Sequence, residues 1–127
     1  MQEQHVYEYS VIRVLPRVER EEFINVGVIV FCKRLKYIGM RFHIDLAKMA
    51  LFSTEWDVEQ IHLNLSAFEQ ICNGSSSESP IAKEEIAERF RWLTAVRSSC
   101  IQTSRPHPGL TSNPVATLEI LFEDLVL

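Results

Sequence analysis

The first third of the chain alternates with a period of two. From Val6 to Leu15 the sequence VYEYSVIRVL places Tyr7, Tyr9, Val11 and Leu15 on one face, with Arg13 interrupting it, and Ile12 and Val14 on the other. Aromatic and β-branched residues in this order predict a strand, and Pro16 ends it because proline cannot donate to a ladder. After the charged connection Arg17 to Glu22, the run Phe23 to Cys32 is apolar on both faces. That pattern predicts a strand buried on both sides, and Gly27 inside it predicts a bulge or the close approach of another backbone or a ligand. A turn at Lys33 to Lys36 leads to a third alternating run. There Ile38, Met40, Phe42 and Ile44 face one way, and Tyr37, Gly39, Arg41 and His43 the other. Three strands with short links predict an antiparallel meander.

The second half changes to a helical period. Thr54-x-x-Asp57 reads as a cap pattern. Ile61, Leu65, Phe68 and Cys72 then recur at helical spacing, and Gly74 suits the stop. Ser75 to Ser79 is small and polar and is expected to be a disordered loop. Ser79-Pro80 predicts the next helix start, with Ile86, Phe90 and Leu93 as its apolar stripe. Glu84, Glu85 and Glu88 complement the dipole there. Around Cys100 to Thr103 a fourth strand is expected. Asn113-Pro114 starts a last helix with Val115, Leu118, Phe122 and Leu125 on its buried face. Trp56 and Trp92, at helical positions, read as core. The resulting class is α+β: an antiparallel sheet of three to four strands packed with about three helices. With no internal repeat and no boundary, residues 1–127 read as one domain.

Size agrees with this reading. A chain of 127 residues with 46% hydrophobic content can bury about two thirds of its unfolded surface, without a disulfide or metal staple. The net charge is -4, unevenly spread: residues 1–50 carry eight basic and six acidic side chains, the remainder five and eleven. So mild a basic excess disfavours nucleic-acid binding, which needs positive charge gathered on one face. Cys32, Cys72 and Cys100 are odd in number and lack CxxC spacing, which fits reduced thiols in a cytoplasmic protein. The N-terminal residues lack the basic and apolar regions of a signal peptide. The longest apolar stretch, Val26 to Cys32, is seven residues, against the roughly twenty that span a bilayer.

Chemical motifs are few. His5, His43, His62 and His107 show no metal-ligand spacing, so no metal is expected. GxGxxG, GxxxxGK[ST] and GxSxG are all absent, which removes the usual nucleotide loops and the usual serine-hydrolase elbow and leaves no cofactor to expect. Two polar clusters remain. One comprises Arg13, Arg17, Arg20, Glu22 and Asn25 around the first strand connection, with Arg41 on the polar face of the third strand. Guanidinium forks match the paired oxygens of carboxylates and phosphates, so this cluster is either an anion or acidic-peptide site or a solvated surface with an Arg–Glu pair fixing the turn. The other runs through Arg97, Ser98, Ser99, Gln102, Thr103, Ser104, Arg105 and His107. It reads as a binding loop or as a polar edge strand. Ser99, Cys100 and His107 also contain the residue types of a nucleophile and base, which require hydrogen-bond contact to act.

These residues carry a resemblance. YSVIRVLPRVEREEFINVGVIVF is similar to the N-terminal signature of a bacterial family known as domain of unknown function 3037, with matches at Tyr9, Arg13, Pro16, Arg20, Glu22, Asn25, Gly27 and Val28. ERFRWLTAVRSSCIQTS and the ending LEILFEDLVL resemble later segments of that family. Val96 departs from it, standing where the family tends to have proline. Arg105-Pro106-His107-Pro108 departs too, in place of a Val-His-Thr-like run. The resemblance implies no assigned activity. It does imply a neighbourhood, since members are often encoded beside a HipA-like kinase, which suggests a regulatory partner in a toxin–antitoxin-like pair. Two functions therefore stand side by side: a non-enzymatic interaction module, and a small enzyme or ligand-binding protein for an anionic or phosphorylated compound. Arg13, Arg20, Glu22, Asn25, Arg41, Arg97, Ser99 and Gln102 are the expected binding residues: in the first function the arginine-rich turn and the loop from Arg97 to His107 form the contact surface, and in the second Arg13, Arg20 and Arg41 hold the anion. Pairing of the sheet edge with a second copy, a homodimer, stays open.

Overall fold

The run that is apolar on both faces lies inside the sheet, as its pattern requires. The computed structural model describes residues 3–75, 78–97 and 99–127. β1 (His5–Val14), β2 (Ile24–Cys32) and β3 (Tyr37–Phe42) form the expected meander, antiparallel throughout. β4 (Ile101–Thr103) and β5 (His107–Thr111) both pair with β1, β4 at its C-terminal end and β5 at its N-terminal end. The described sheet thus has five strands, one more than the pattern suggested, in the order β3-β2-β1-β4, with β5 beside β4 along the same edge. β5 escapes a sequence reading because Pro108 and Gly109 argue against a strand. It forms at an edge, where proline costs no ladder bond.

Side chains of β2 divide between two cores. Val26, Ile29 and Phe31 point to a large cluster with Ile12, Val14 and Met40, covered by Ile61, Leu65, Phe68 and Cys72 of α2 (Val58–Asn73) and Phe90 and Leu93 of α3 (Ile86–Leu93). Val28 and Val30 point to a smaller cluster under Leu118 and Phe122 of α4 (Pro114–Leu125). Tyr7, Tyr9 and Tyr37 pack on this second side. Fully burying an aliphatic side chain such as Ile29 or Leu65 contributes about 1.5–3 kcal/mol, so the central strand is stabilised from both faces. Register between β1 and β2 shifts after Ile12, which pairs with Gly27 while Arg13 pairs with Asn25; Val26 is the extra residue of a bulge.

Several local expectations change. A helix not foreseen, α1 (Leu46–Phe52), follows β3. Asp45 caps it by accepting from the Lys48 amide, and only Met49 reaches the core. The cap of α2 is Asp57, which accepts from Gln60 N at 3.1 Å, rather than Thr54. Gly74 does stop α2, at φ +68°. Pro80 opens a short 3-10 turn, Pro80–Lys83, and α3 begins only at Ile86. On α4, Val115 is exposed, while Leu118 and Phe122 are buried and Leu125 packs against them. Trp92 is 41% exposed rather than core. Ser76 and Ser77, in the loop expected to be disordered, lie outside the described residues.

Candidate functional site

The bulge between Ile12 and Arg13 sets the orientation of Arg13. Its register neighbour on β4 is Gln102, so the two sequence clusters meet at the C-terminal end of β1. A cavity of about 500 Å³ opens there, lined by Arg13, Leu15, Val18, Glu21, Phe23, Val96, Arg97 and Gln102. Clefts of about 480, 400, 500 and 460 Å³ indent the surface elsewhere. Volume does not single this one out; its lining chemistry does.

Arg13 is the distinctive group. Its guanidinium carbon lies 4.0 Å from the centroid of the Phe23 ring. Nε is buried without a hydrogen-bond partner, and no carboxylate of the described residues forms an ion pair with it. Desolvation lowers its pKa from the ordinary arginine value, though the group stays charged at neutral pH. An arginine held over an aromatic ring with unused donors can accept a carboxylate or phosphate with little reorganisation.

Arg97 shares the cavity, but its donors are spent. One terminal nitrogen donates to Leu93 O at 2.8 Å and Ala95 O at 3.1 Å; the other donates to Trp92 O at 2.7 Å. The guanidinium lies against Phe68 and Trp92, 4.9 and 4.7 Å from the ring centroids. Burial lowers its pKa as well. Arg97 therefore caps the carbonyl end of α3 and shapes the cavity wall. Gln102 Nε2 donates to Ser99 O, and Ser99 Oγ donates to Ile101 O, so both polar groups close a local turn. Ser98 lies outside the described residues.

The remaining sequence candidates are placed apart. Arg20 is paired with Glu22 at 2.6 Å in an exposed cleft beside Leu51 and Phe52. Arg17 is paired with Glu19. Asn25 donates to Leu125 O at 3.1 Å, tying β2 to the end of α4, and its Oδ1 has no partner. Arg41 is ion-paired with Glu119 and lies over Phe122, tying β3 to α4. Register also separates Cys100 from His107. The Cys100 carbonyl accepts from Leu15 N, whereas His107 sits opposite Tyr9 with its ring 5.3 Å from the tyrosine ring. Six residues of strand make that separation about 20 Å, so the two do not form a nucleophile–base pair.

Sequence reading missed Leu15, Val18, Glu21, Phe23 and Val96 as cavity walls. Phe23 carried a signal: it begins an apolar run but precedes the strand proper, where an aromatic side chain is free to lie over an arginine. Val96, fully exposed, had none. Among the described residues no three metal-capable side chains gather, and no helix is long and apolar enough to cross a membrane.

An α+β fold that brings Arg13, Arg97 and Gln102 to one shallow cavity at the end of its sheet is what the structure defines. The sequence places it further: residues 9–126 match the model of the family described as Protein of unknown function (DUF3037), and the chain belongs to that family. Comparison with the curated proteins and with the solved structures gives no match.

Proposed function

We propose that this protein is a non-enzymatic interaction module that docks an acidic segment of a regulatory partner on the Arg13 end of the sheet. The observation that supports it most is the pairing of one uncompensated guanidinium, Arg13, with a rim of exposed apolar residues. Phe23 is 43% exposed and Val96 wholly exposed, and both line the cavity with Arg13. Aromatic and arginine side chains together dominate protein contact energetics, and an isolated exposed valine at the mouth adds apolar area to the same patch. Separation of Arg20 and Arg41 into their own ion pairs also favours a partner-binding face over an enclosed multi-arginine ligand site. A HipA-like kinase is the partner that the family's gene neighbourhood suggests. Titration of the purified neighbouring kinase with the wild-type chain and with Arg13→Glu tests it. Binding weakened at least tenfold by the substitution, with an unchanged melting temperature, is expected. Equal affinity of the two chains, or no complex at all, removes the proposal.

A second reading has support in the same guanidinium: a small carboxylate or phosphate compound occupying the cavity. A ligand at one hundred times its Kd stabilises a fold by about 2.7 kcal/mol. A thermal-shift series of phosphates, nucleotides and carboxylates that leaves the midpoint unmoved removes this reading without touching the first.

A further inference from the structure

The cavity at the end of β1 carries a charge of the opposite sign to Arg13. In the connection from Arg17 to Glu22, Arg17 is paired with Glu19 and Arg20 with Glu22. Glu21 is the charged side chain of that segment left without an ion pair among the described residues, and it lines the same cavity as Arg13. No ion pair joins the two. Arg13 is held over the Phe23 ring, 4.0 Å from its centroid. Glu21 ends the 3-10 turn Val18–Arg20 at φ +57° and ψ +16°, with its amide donating to Val18 O at 3.2 Å. Glycine takes this left-handed conformation without strain, and glutamate does not. A strained backbone under a polar side chain in a cavity wall points to a use for that side chain.

We propose that Glu21 is a specificity-determining residue of this cavity, taking a lysine or arginine of the docked segment while Arg13 takes its acidic residue. The inference rests on the docking function above and narrows the partner's segment from acidic to mixed in charge. A purely acidic segment would bring its carboxylates against Glu21 as well as Arg13, and like charges brought together at an interface oppose binding. A segment carrying both signs meets a complementary charge at each. Arg97, the other cation of the cavity, does not compete for the acidic residue, because its terminal nitrogens are bonded to the carbonyls of Trp92, Leu93 and Ala95. Leu15, Val18 and Val96 make the rest of the wall apolar, which suits the uncharged residues of such a segment. Two fixed charges of opposite sign also set the direction in which the segment lies, as one arginine alone does not.

Titration of the purified neighbouring kinase with the wild-type, Glu21→Gln, Glu21→Gly and Arg13→Glu chains tests the inference apart from the docking function. Glu21→Gln, which keeps the side chain's size and removes its charge, is expected to weaken binding at least fivefold. Glu21→Gly is expected to weaken it as much while melting at a higher temperature than the wild type, since glycine relieves the left-handed strain. A purely structural role for Glu21 would not move binding and stability in opposite directions. Unchanged or tighter binding by Glu21→Gln, with binding by Arg13→Glu still weakened tenfold, overturns the inference and leaves the docking function standing. Equal affinity of all four chains, or no complex, removes the docking function and this inference with it.

Discussion

Gly27 and the backbone of Arg41 approach so closely that a Cβ on Gly27 would lie 2.7 Å from the Arg41 carbonyl oxygen. Ile12 and Phe42 crowd the same point at 3.1 Å. The offending atom belongs to the β2–β3 ladder and cannot swing aside. Gly27→Ala is therefore expected to cost about 1–3 kcal/mol, as overpacking of a fixed core does. Denaturant unfolding measures it; a cost below about 0.5 kcal/mol would show that β2 and β3 separate freely at Gly27.

Asp57, not Thr54, satisfies the first amides of α2. Asp57→Ala is expected to lose about 1 kcal/mol of stability, the usual worth of an N-cap, whereas Thr54→Ala should stay within about 0.5 kcal/mol. Thermal unfolding of the two variants side by side distinguishes the caps.

Arg13 and Arg97 share a cavity and divide the work. Arg97 holds three carbonyls at the end of α3, so Arg97→Ala is expected to destabilise by about 1.5–3 kcal/mol, the range for hydrogen bonds from a charged group. Arg13→Gln, which removes a charge with few internal bonds, should change stability by less than about 1 kcal/mol and show its effect in partner binding. Reversal of the two stability effects would remove the distinction drawn between them.

Cys72 is fully buried, and desolvation pushes its thiol pKa up from 9.0 to about 12. The folded state thus favours the neutral thiol more strongly than the unfolded chain does. Its contribution to stability is complete below pH 9 and is lost as pH rises towards 12. Cys72→Ala should flatten the alkaline decline in unfolding free energy. Alkylation of the native protein is expected at Cys100, which is partly exposed, well before Cys32 or Cys72. Modification of Cys72 at the same rate would contradict the burial.

Much of the fold was legible along the chain because its signals are local. Strict alternation from Tyr37 to Phe42, the two-faced apolar run from Ile24 to Cys32 and the spacing of Ile61, Leu65, Phe68 and Cys72 each specify an element and the face it buries. Elements with weak signals were not legible. α1 buries a single side chain, Met49, and so writes no stripe. β5 carries proline and glycine that only an edge tolerates. Those two elements form because neighbouring structure supplies what their sequences lack.

By itself the sequence determined an α+β chain, its central strand, an irregularity or close approach at Gly27 and its family, since hydrophobic period and backbone restriction act within a few residues. Which arginines act together was decided only by tertiary structure. Arg13, Arg20, Arg41 and Arg97 look alike as a list of charges. The local turn gives Arg20 the carboxylate of Glu22, while strand register and helix packing give Arg41 that of Glu119, turn Arg97 onto the end of α3, and leave Arg13 with unspent donors over Phe23. Charge compensation depends on distances of a few ångströms between residues as far apart in sequence as Arg41 and Glu119, and no local pattern encodes those.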